Sequence, residues 1–265
     1  MKIPLVDLSR RYLSLKNEID EGIKSVIERT AFINGEEVKL FEQKFASFCG
    51  KKFGVGCSNG TSALNIALRL CDIKEGDEVI TVPNTFIATT ESITNVGGKI
   101  KFVDVEEDTL LMDTEKLKEA ITPKTKAIIP VHLYGQIVDM GPIKKIAEEN
   151  GIKVVEDCAQ CHGAEQEGQR APYLNLGTFS LFPAKIMGAF GDAGVIVTDD
   201  EEYAKRMKMF SNHGRSDKYN SEFEGDNFRL DTLQASILLP QMEKLDQWVE
   251  RRREIAKLYN ELLEG

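Results

Sequence analysis

Between Glu156 and His162 the chain reads Glu-Asp-Cys-Ala-Gln-Cys-His, which concentrates carboxylates, thiols, an amide and an imidazole in one short stretch. Two chemistries compete for it. Cys158, Cys161 and His162 fit C-x-x-C-H, the pattern for covalent attachment of a c-type haem. The same residues follow an apolar run, Ile152-Lys153-Val154-Val155, which puts Asp157 where a parallel strand would end. Ligands of open α/β sheets sit at the carboxyl ends of their strands. Haem attachment requires export and a distal ligand, and the opening MKIPLVDLSRRYLSLKNEID has early charges and no continuous apolar core. Zinc needs further ligands at workable spacing, but the other histidines, His132 and His213, form no ligand-spaced pair. A redox C-x-x-C begins a helix with an exposed first cysteine, whereas Cys158 follows a strand end. A chance match accounts best for the cysteines.

Three stretches offer residues that could carry chemistry. Asp157 at its strand end could face a protonated ring nitrogen and so keep a pyridinium positive as an electron sink; a helix N-cap is the plainer alternative. Gln160 is close enough to share that site. Ser58-Asn59-Gly60-Thr61-Ser62 precedes an apolar helical run, and backbone N–H groups at a helix start bind phosphate, although the same residues are helix caps first. Lys185 lies in SLFPAKIMGAFGDAGVIV, on a turn between two apolar strands. Desolvation there would lower its pKa, as an amine that forms a Schiff base requires; a surface turn lysine is the alternative.

The elements that must hold these residues alternate. Helical periodicity marks 16–28, 37–49, 62–71, 114–121 and 140–151, the last closed by Gly151. Extended runs fall at 77–83, 99–105, 126–135, 152–157, 177–182 and 193–199. Strands separated by helices predict a mostly parallel sheet with helices on both faces. A long amphipathic helix is expected from about residue 240.

Composition sets the outer limits. The 265 residues are 42% hydrophobic and 29% charged, ordinary for a globular chain. A net charge of −9 disfavours phosphate backbones, so nucleic acid is not an expected partner. Arg251-Arg252-Arg253 sits among acids in a helical pattern and reads as a solvated face. Apolar runs are too short for a bilayer, and the expected location is cytoplasmic. The five cysteines read as small buried hydrophobes.

Taken together, the motifs INGEEVKLFEQKFASFCG, SNGTSALNIALR, GDEVITVPNTFIAT, TKAIIPVHLYGQ, VVEDCAQCHGA, FSLFPAKIMGAFGDAGVIVTDD and NFRLDTLQASILLPQMEKLDQW resemble the DegT-type nucleotide-sugar aminotransferases, a branch of the fold-type I pyridoxal-phosphate enzymes. The resemblance covers nearly the whole chain. It implies an aspartate-aminotransferase-like large domain, a three-layer α/β/α sandwich over 1–240. Residues 241–265 would be a helix leading toward a small C-terminal domain that is absent. Pyridoxal 5'-phosphate is the implied cofactor. Lys185 matches the lysine that bonds the cofactor aldehyde, Asp157 the partner of the ring nitrogen, and Gln160 the amide near the ring hydroxyl. Phe86 matches the aromatic stacked on the ring. Gly60, Thr61 and Ser180 match phosphate donors, and Asn227 an asparagine lent across a homodimer interface. On this resemblance Asp157 and Gln160 carry the chemistry, and Cys158 and Cys161 replace small residues of the common EDAAQ form.

The implied reaction moves an amino group from an amino acid, by analogy glutamate, to a nucleotide-linked ketosugar, with the 3-position favoured. Relatives that are sugar dehydratases carry histidine in place of the lysine, so Lys185 argues against that activity. A truncated paralogue that binds cofactor without full turnover is the alternative. Pro172 and Tyr173 depart from the usual small polar loop and bear on substrate access.

Overall fold

A computed structural model describes residue 4 and residues 6–263. Two short helices, α1 (Leu8–Ser14) and α2 (Lys16–Arg29), lead into α3 (Glu36–Phe48). Strand and helix then alternate: β1 (Phe53–Cys57), α4 (Gly60–Leu70), β2 (Glu78–Thr81), α5 (Ala88–Asn95), β3 (Lys99–Phe102), α6 (Thr114–Ala120), β4 (Thr125–Ile128) and α7 (Met140–Asn150). The run 152–157 forms two short pieces, β5 (Lys153–Val154) and β6 (Glu156–Asp157). A small hairpin, β7 (Glu165–Gln166) and β8 (Gln169–Arg170), precedes β9 (Gly177–Ser180) and β10 (Gly194–Thr198). Helices α8 (Glu201–Phe210), α9 (Thr232–Met242) and α10 (Leu245–Leu263) complete the described chain.

The strands make two ladders, β3-β2-β4-β5 and β6-β9-β10-β1. They meet along the 152–157 run, where Asp157 N–H bonds Pro130 O and His132 N–H bonds Asp157 O, each at 3.0 Å. Among the described residues the result is one layer in which only β10 runs antiparallel to its neighbours. The mostly parallel sheet expected from the alternating pattern is what forms.

Alternating side chains explain the layers, since successive residues of a strand face opposite sides. In β10, Val195 and Val197 join a core under α3 and α9, while Ile196 joins the core under α4 and α8. In β2 and β4, Val79 and Ala127 face the α4–α5 side, whereas Ile80 and Ile128 face α6 and α7. Both faces are therefore covered, giving the three-layer α/β/α arrangement. Each fully buried Leu or Ile contributes about 1.5–3 kcal/mol to holding the helices on the sheet.

Helix starts follow local chemistry. Asp7, Asp113, Asp139 and Asp200 accept backbone N–H bonds at the starts of α1, α6, α7 and α8. Gly151 ends α7 in the left-handed conformation, as its position in the sequence suggested. Four helices escape the periodicity reading: α1, α5, α8 and α9. The last carries Pro240 inside it and ends at Met242, so the long helix begins at Leu245 rather than near 240. Arg251, Arg252 and Arg253 lie exposed on it, with Arg251 and Arg253 paired to Glu254 and Glu250. No helix among the described residues is long and apolar enough to cross a membrane.

Candidate active site

The carboxyl ends of β1, β2, β6 and β9 open on one cavity of about 530 Å³. Gly60, Thr61, Phe86, Asp157, Gln160, Ser180 and Lys185 all line it, together with Thr85, Thr89 and Asp192. Seven of the eight sequence-selected residues are thus brought together. Asn227 is not in the lining. It is exposed, on the segment between α8 and α9, where its backbone pairs with Asn212.

One wall is the start of α4. Asn59 caps it by accepting from Ser62 N–H at 2.7 Å, and the Ser62 hydroxyl accepts from Asn59 N–H at 3.0 Å. Ala63 N–H bonds Asn59 O. Among the described residues, no acceptor within the protein meets the N–H groups of Gly60 and Thr61, which lie at the cavity. A Cβ on Gly60 would approach Ser180 Cβ to 2.8 Å, so only glycine lets the helix start and the end of β9 come this close. Two free N–H donors at the positive end of an eleven-residue helix, beside the Ser180 hydroxyl, make an anion cradle.

The floor is Asp157, 5% exposed. Its Oδ2 accepts from the Thr89 hydroxyl at 2.9 Å and its Oδ1 from Ala159 N–H at 3.1 Å. Burial raises its pKa, while these two donors, His132 and the charge of Lys185 oppose the rise. Lys185 shows the converse: desolvation lowers its pKa and Asp157 partly restores it. Gln160 Oε1 lies 3.4 Å from Tyr134 N. Phe86 is 72% exposed, its ring left open at the cavity.

Thr89 and Ala159 were not singled out in the sequence. Thr85 and Thr89 stand one helical turn apart around Phe86, a spacing that offered a signal, and their hydroxyls lie 2.8 Å apart.

Cys158 and Cys161 point away from this cavity. Both are fully buried in the core beside α3, where burial raises the Cys158 pKa. His162 packs edge-on against Phe45 and Phe179 with neither ring nitrogen hydrogen-bonded, and burial, then Lys185, lowers its pKa to about 3. Thiols sealed this way cannot reach a haem edge. His132, Glu156 and Cys158 bring three ligand-type atoms within 4.8 Å. Their donors and acceptors are already committed: His132 Nε2 bonds Glu156 Oε2 at 2.9 Å, and His132 Nδ1 accepts from Val138 N–H at 3.2 Å. Glu156 also accepts from the N–H groups of Tyr173 and Leu174.

Residues 13–265 match the model of the DegT/DnrJ/EryC1/StrS aminotransferase family. The chain belongs to that family. It is 44% identical over 265 residues to a "pleiotropic regulatory protein" of Geobacillus stearothermophilus, covering all of this chain and 71% of that one. It is 41% identical over 261 residues to the UDP-2-acetamido-2-deoxy-3-oxo-D-glucuronate aminotransferase of Pseudomonas aeruginosa, covering 97% and 72%. Among solved structures, S. venezuelae DesV in complex with a ketimine intermediate matches with a TM-score of 0.98 at 38% identity, over all of this chain and 71% of that one.

Membership makes this chain a pyridoxal-phosphate-dependent aminotransferase. Its residues fit that cofactor. The glycine cradle with two unpaired N–H donors suits a phosphate. A buried carboxylate suits a cationic ring nitrogen, and a half-buried lysine of lowered pKa suits an aldehyde carbon.

Proposed function

We propose that this chain transfers an amino group from an amino acid, glutamate by family analogy, to a ketosugar carried on a nucleoside diphosphate, at the sugar 3-position. The observation that carries the reading is the facing of buried Asp157 and half-buried Lys185 in one cavity at the strand ends. The 3-position rests on the name of the Pseudomonas relative, which acts on a 3-oxo sugar nucleotide.

When bound, pyridoxal phosphate supplies a carbonyl that takes up the amino group and a ring that draws electrons from it. Gly60 and Thr61 N–H and the Ser180 hydroxyl would hold its phosphate, and the Phe86 ring its face. Asp157 would keep a proton on the ring nitrogen, with its own orientation held by Thr89 and Ala159 N–H. Gln160 would bond the ring hydroxyl. Lys185 Nζ would carry the proton from the donor α-carbon, a role that the desolvation lowering its pKa favours. Asn227, exposed and outside the lining, suits a residue lent to the cavity of a second copy in a homodimer. Residues 1–240 would then form the cofactor-binding domain, with 241–265 leading toward the part of the relatives that this chain does not match.

Absorbance tests the reading. Pyridoxal phosphate added to the protein should give a broad yellow band that bleaches with glutamate and is lost in Lys185→Ala. A band indifferent to Lys185 would overturn it.

A further inference from the structure

Lys185 sits on an irregular turn, residues 182–191, between β9 and β10. Among the described residues, one backbone–backbone bond closes within the turn, Lys185 N–H to Phe182 O at 2.9 Å. Ala189 N–H also bonds Leu181 O at its edge, at 2.8 Å, and three side chains from outside meet further polar groups of the turn. Arg11 Nη1 donates to Lys185 O at 2.8 Å and to Ile186 O at 3.2 Å, and Arg11 Nη2 donates to Pro183 O. Gln241, buried, donates to Gly188 O at 2.9 Å and accepts from Gly188 N–H at 3.3 Å. Gln234, two turns earlier on α9, accepts from Phe190 N–H at 2.9 Å.

The turn needs this help because it is folded back on itself. A Cβ on Gly188 would meet Phe182 O and Pro183 O at 2.6 Å, so no side chain fits there and the carbonyls crowd together. Three carbonyls converging on one point call for a planar fork of donors, which arginine has and lysine lacks. The helix that brings Arg11 has no fully buried residue; Tyr12 alone borders a small satellite core of Leu15, Ile19 and Ile237, so the main cores do not rest on it. Its other link to the site is Tyr12, edge-on to Phe190 of the same turn with ring centroids 5.8 Å apart.

We infer that Arg11 is a positioning residue for Lys185: its guanidinium, opposed by the Gln241 amide, clamps the backbone of the turn and so fixes where Lys185 Nζ stands in the cavity. The inference rests on the reading of Lys185 as the residue that bonds the cofactor.

Two readouts test it. The first is residue-level amide hydrogen exchange of the cofactor-free protein. The second is the rate at which added pyridoxal phosphate becomes trappable on Lys185 by borohydride. Arg11→Ala should speed exchange at Lys185, Gly188 and Phe190 by about tenfold or more, the scale of a lost charged hydrogen bond. It should slow trapping by a similar factor, leaving β9, β10 and the melting temperature near wild type. Arg11→Lys, with a point charge for a fork, should rescue only part of both effects. Wild-type exchange and trapping in Arg11→Ala would overturn the inference. So would a uniform rise in exchange with a lowered melting temperature, which marks a merely structural role. If Arg11→Ala does not fold, Arg11→Lys and Gln241→Glu carry the same comparison, and wild-type behaviour in both overturns the clamp. Trapping that persists in Lys185→Ala would overturn the reading of Lys185, while exchange, which needs no cofactor, still decides the clamp.

Discussion

Thr89 donates its hydroxyl to Asp157 Oδ2 at 2.9 Å, and both side chains are buried. The bond ties the segment that carries Phe86 to the strand end that carries Asp157. The face of the cavity and its carboxylate floor are therefore held in register by one hydroxyl. Thr89→Val keeps the volume and removes the donor. It should weaken pyridoxal-phosphate binding about tenfold, the scale of one hydrogen bond to a charged group, whereas Thr89→Ser should stay near wild type. Titration of the protein with cofactor, followed by absorbance, checks this.

Asp157 should stabilise the holoenzyme and destabilise the protein without cofactor. Burial raises its folded pKa above the ordinary carboxylate value. The folded state therefore holds a proton that the unfolded state has released, and stability falls as pH rises from about 4 through the folded pKa. Asp157→Asn should raise the stability of the cofactor-free protein at pH 7, with the gap closing toward pH 4. The same change should weaken cofactor binding by about two orders of magnitude, since it removes one partner of a buried charge pair. Urea melts at several pH values, alongside the cofactor titration, decide both halves.

The pH behaviour of Lys185 follows from the same pair. Burial lowers its pKa and the Asp157 charge opposes the fall. Its amine should react with a small acylating reagent at lower pH than an exposed lysine. In Asp157→Asn the opposing charge is gone, and the midpoint should move lower still. Mass-spectrometric labelling of Lys185 across pH measures the midpoint directly. A midpoint that rises in Asp157→Asn contradicts the assignment.

Much of this was legible in the chain because the chemistry is local. Asp157 and Gln160 lie within one strand end and turn, and Gly60 and Thr61 open a helix behind Asn59. Period and punctuation were enough to place them. What stayed hidden depends on contacts far apart in sequence. Arg11 meets the Lys185 turn from 174 residues away. Thr89 meets Asp157 from 68. Helix α9 was hidden for another reason: it is apolar nearly all round and carries Pro240, so it shows no clear stripe.

Glu156 is a structural carboxylate beside Asp157 of the cavity. It is fully buried and takes three donors: His132 Nε2–H, Tyr173 N–H and Leu174 N–H. Tyr173, which departs from the usual loop chemistry, contributes a backbone N–H to this network. Glu156→Ala would leave those donors unpaired and should cost about 3–5 kcal/mol. Glu156→Gln, which keeps the shape and one acceptor, should cost clearly less. Thermal melts of the two variants rank them.

The C-x-x-C-H run makes the last prediction. Cys158 and Cys161 sit at 0% exposure among Phe45, Phe179 and Val195, and their thiols donate weakly to the carbonyls of Glu156 and Cys158. Cys49 and Cys57 are also buried, and Cys71, largely buried, has its pKa raised to about 12 by that burial. A reagent must reach the thiolate, and four of the five thiols are sealed in the core while burial suppresses the thiolate of Cys71. The native protein should release little colour from a thiol-disulfide reagent over minutes, and all five thiols should titrate on unfolding. The double change Cys158→Ala with Cys161→Ala should cost about 1–3 kcal/mol of stability through the small voids it leaves. The cofactor band and its bleaching by glutamate should survive, because both side chains point into the core while Asp157 and Gln160 point into the cavity. Loss of the band in a variant that still melts cooperatively would return the cysteines to the chemistry.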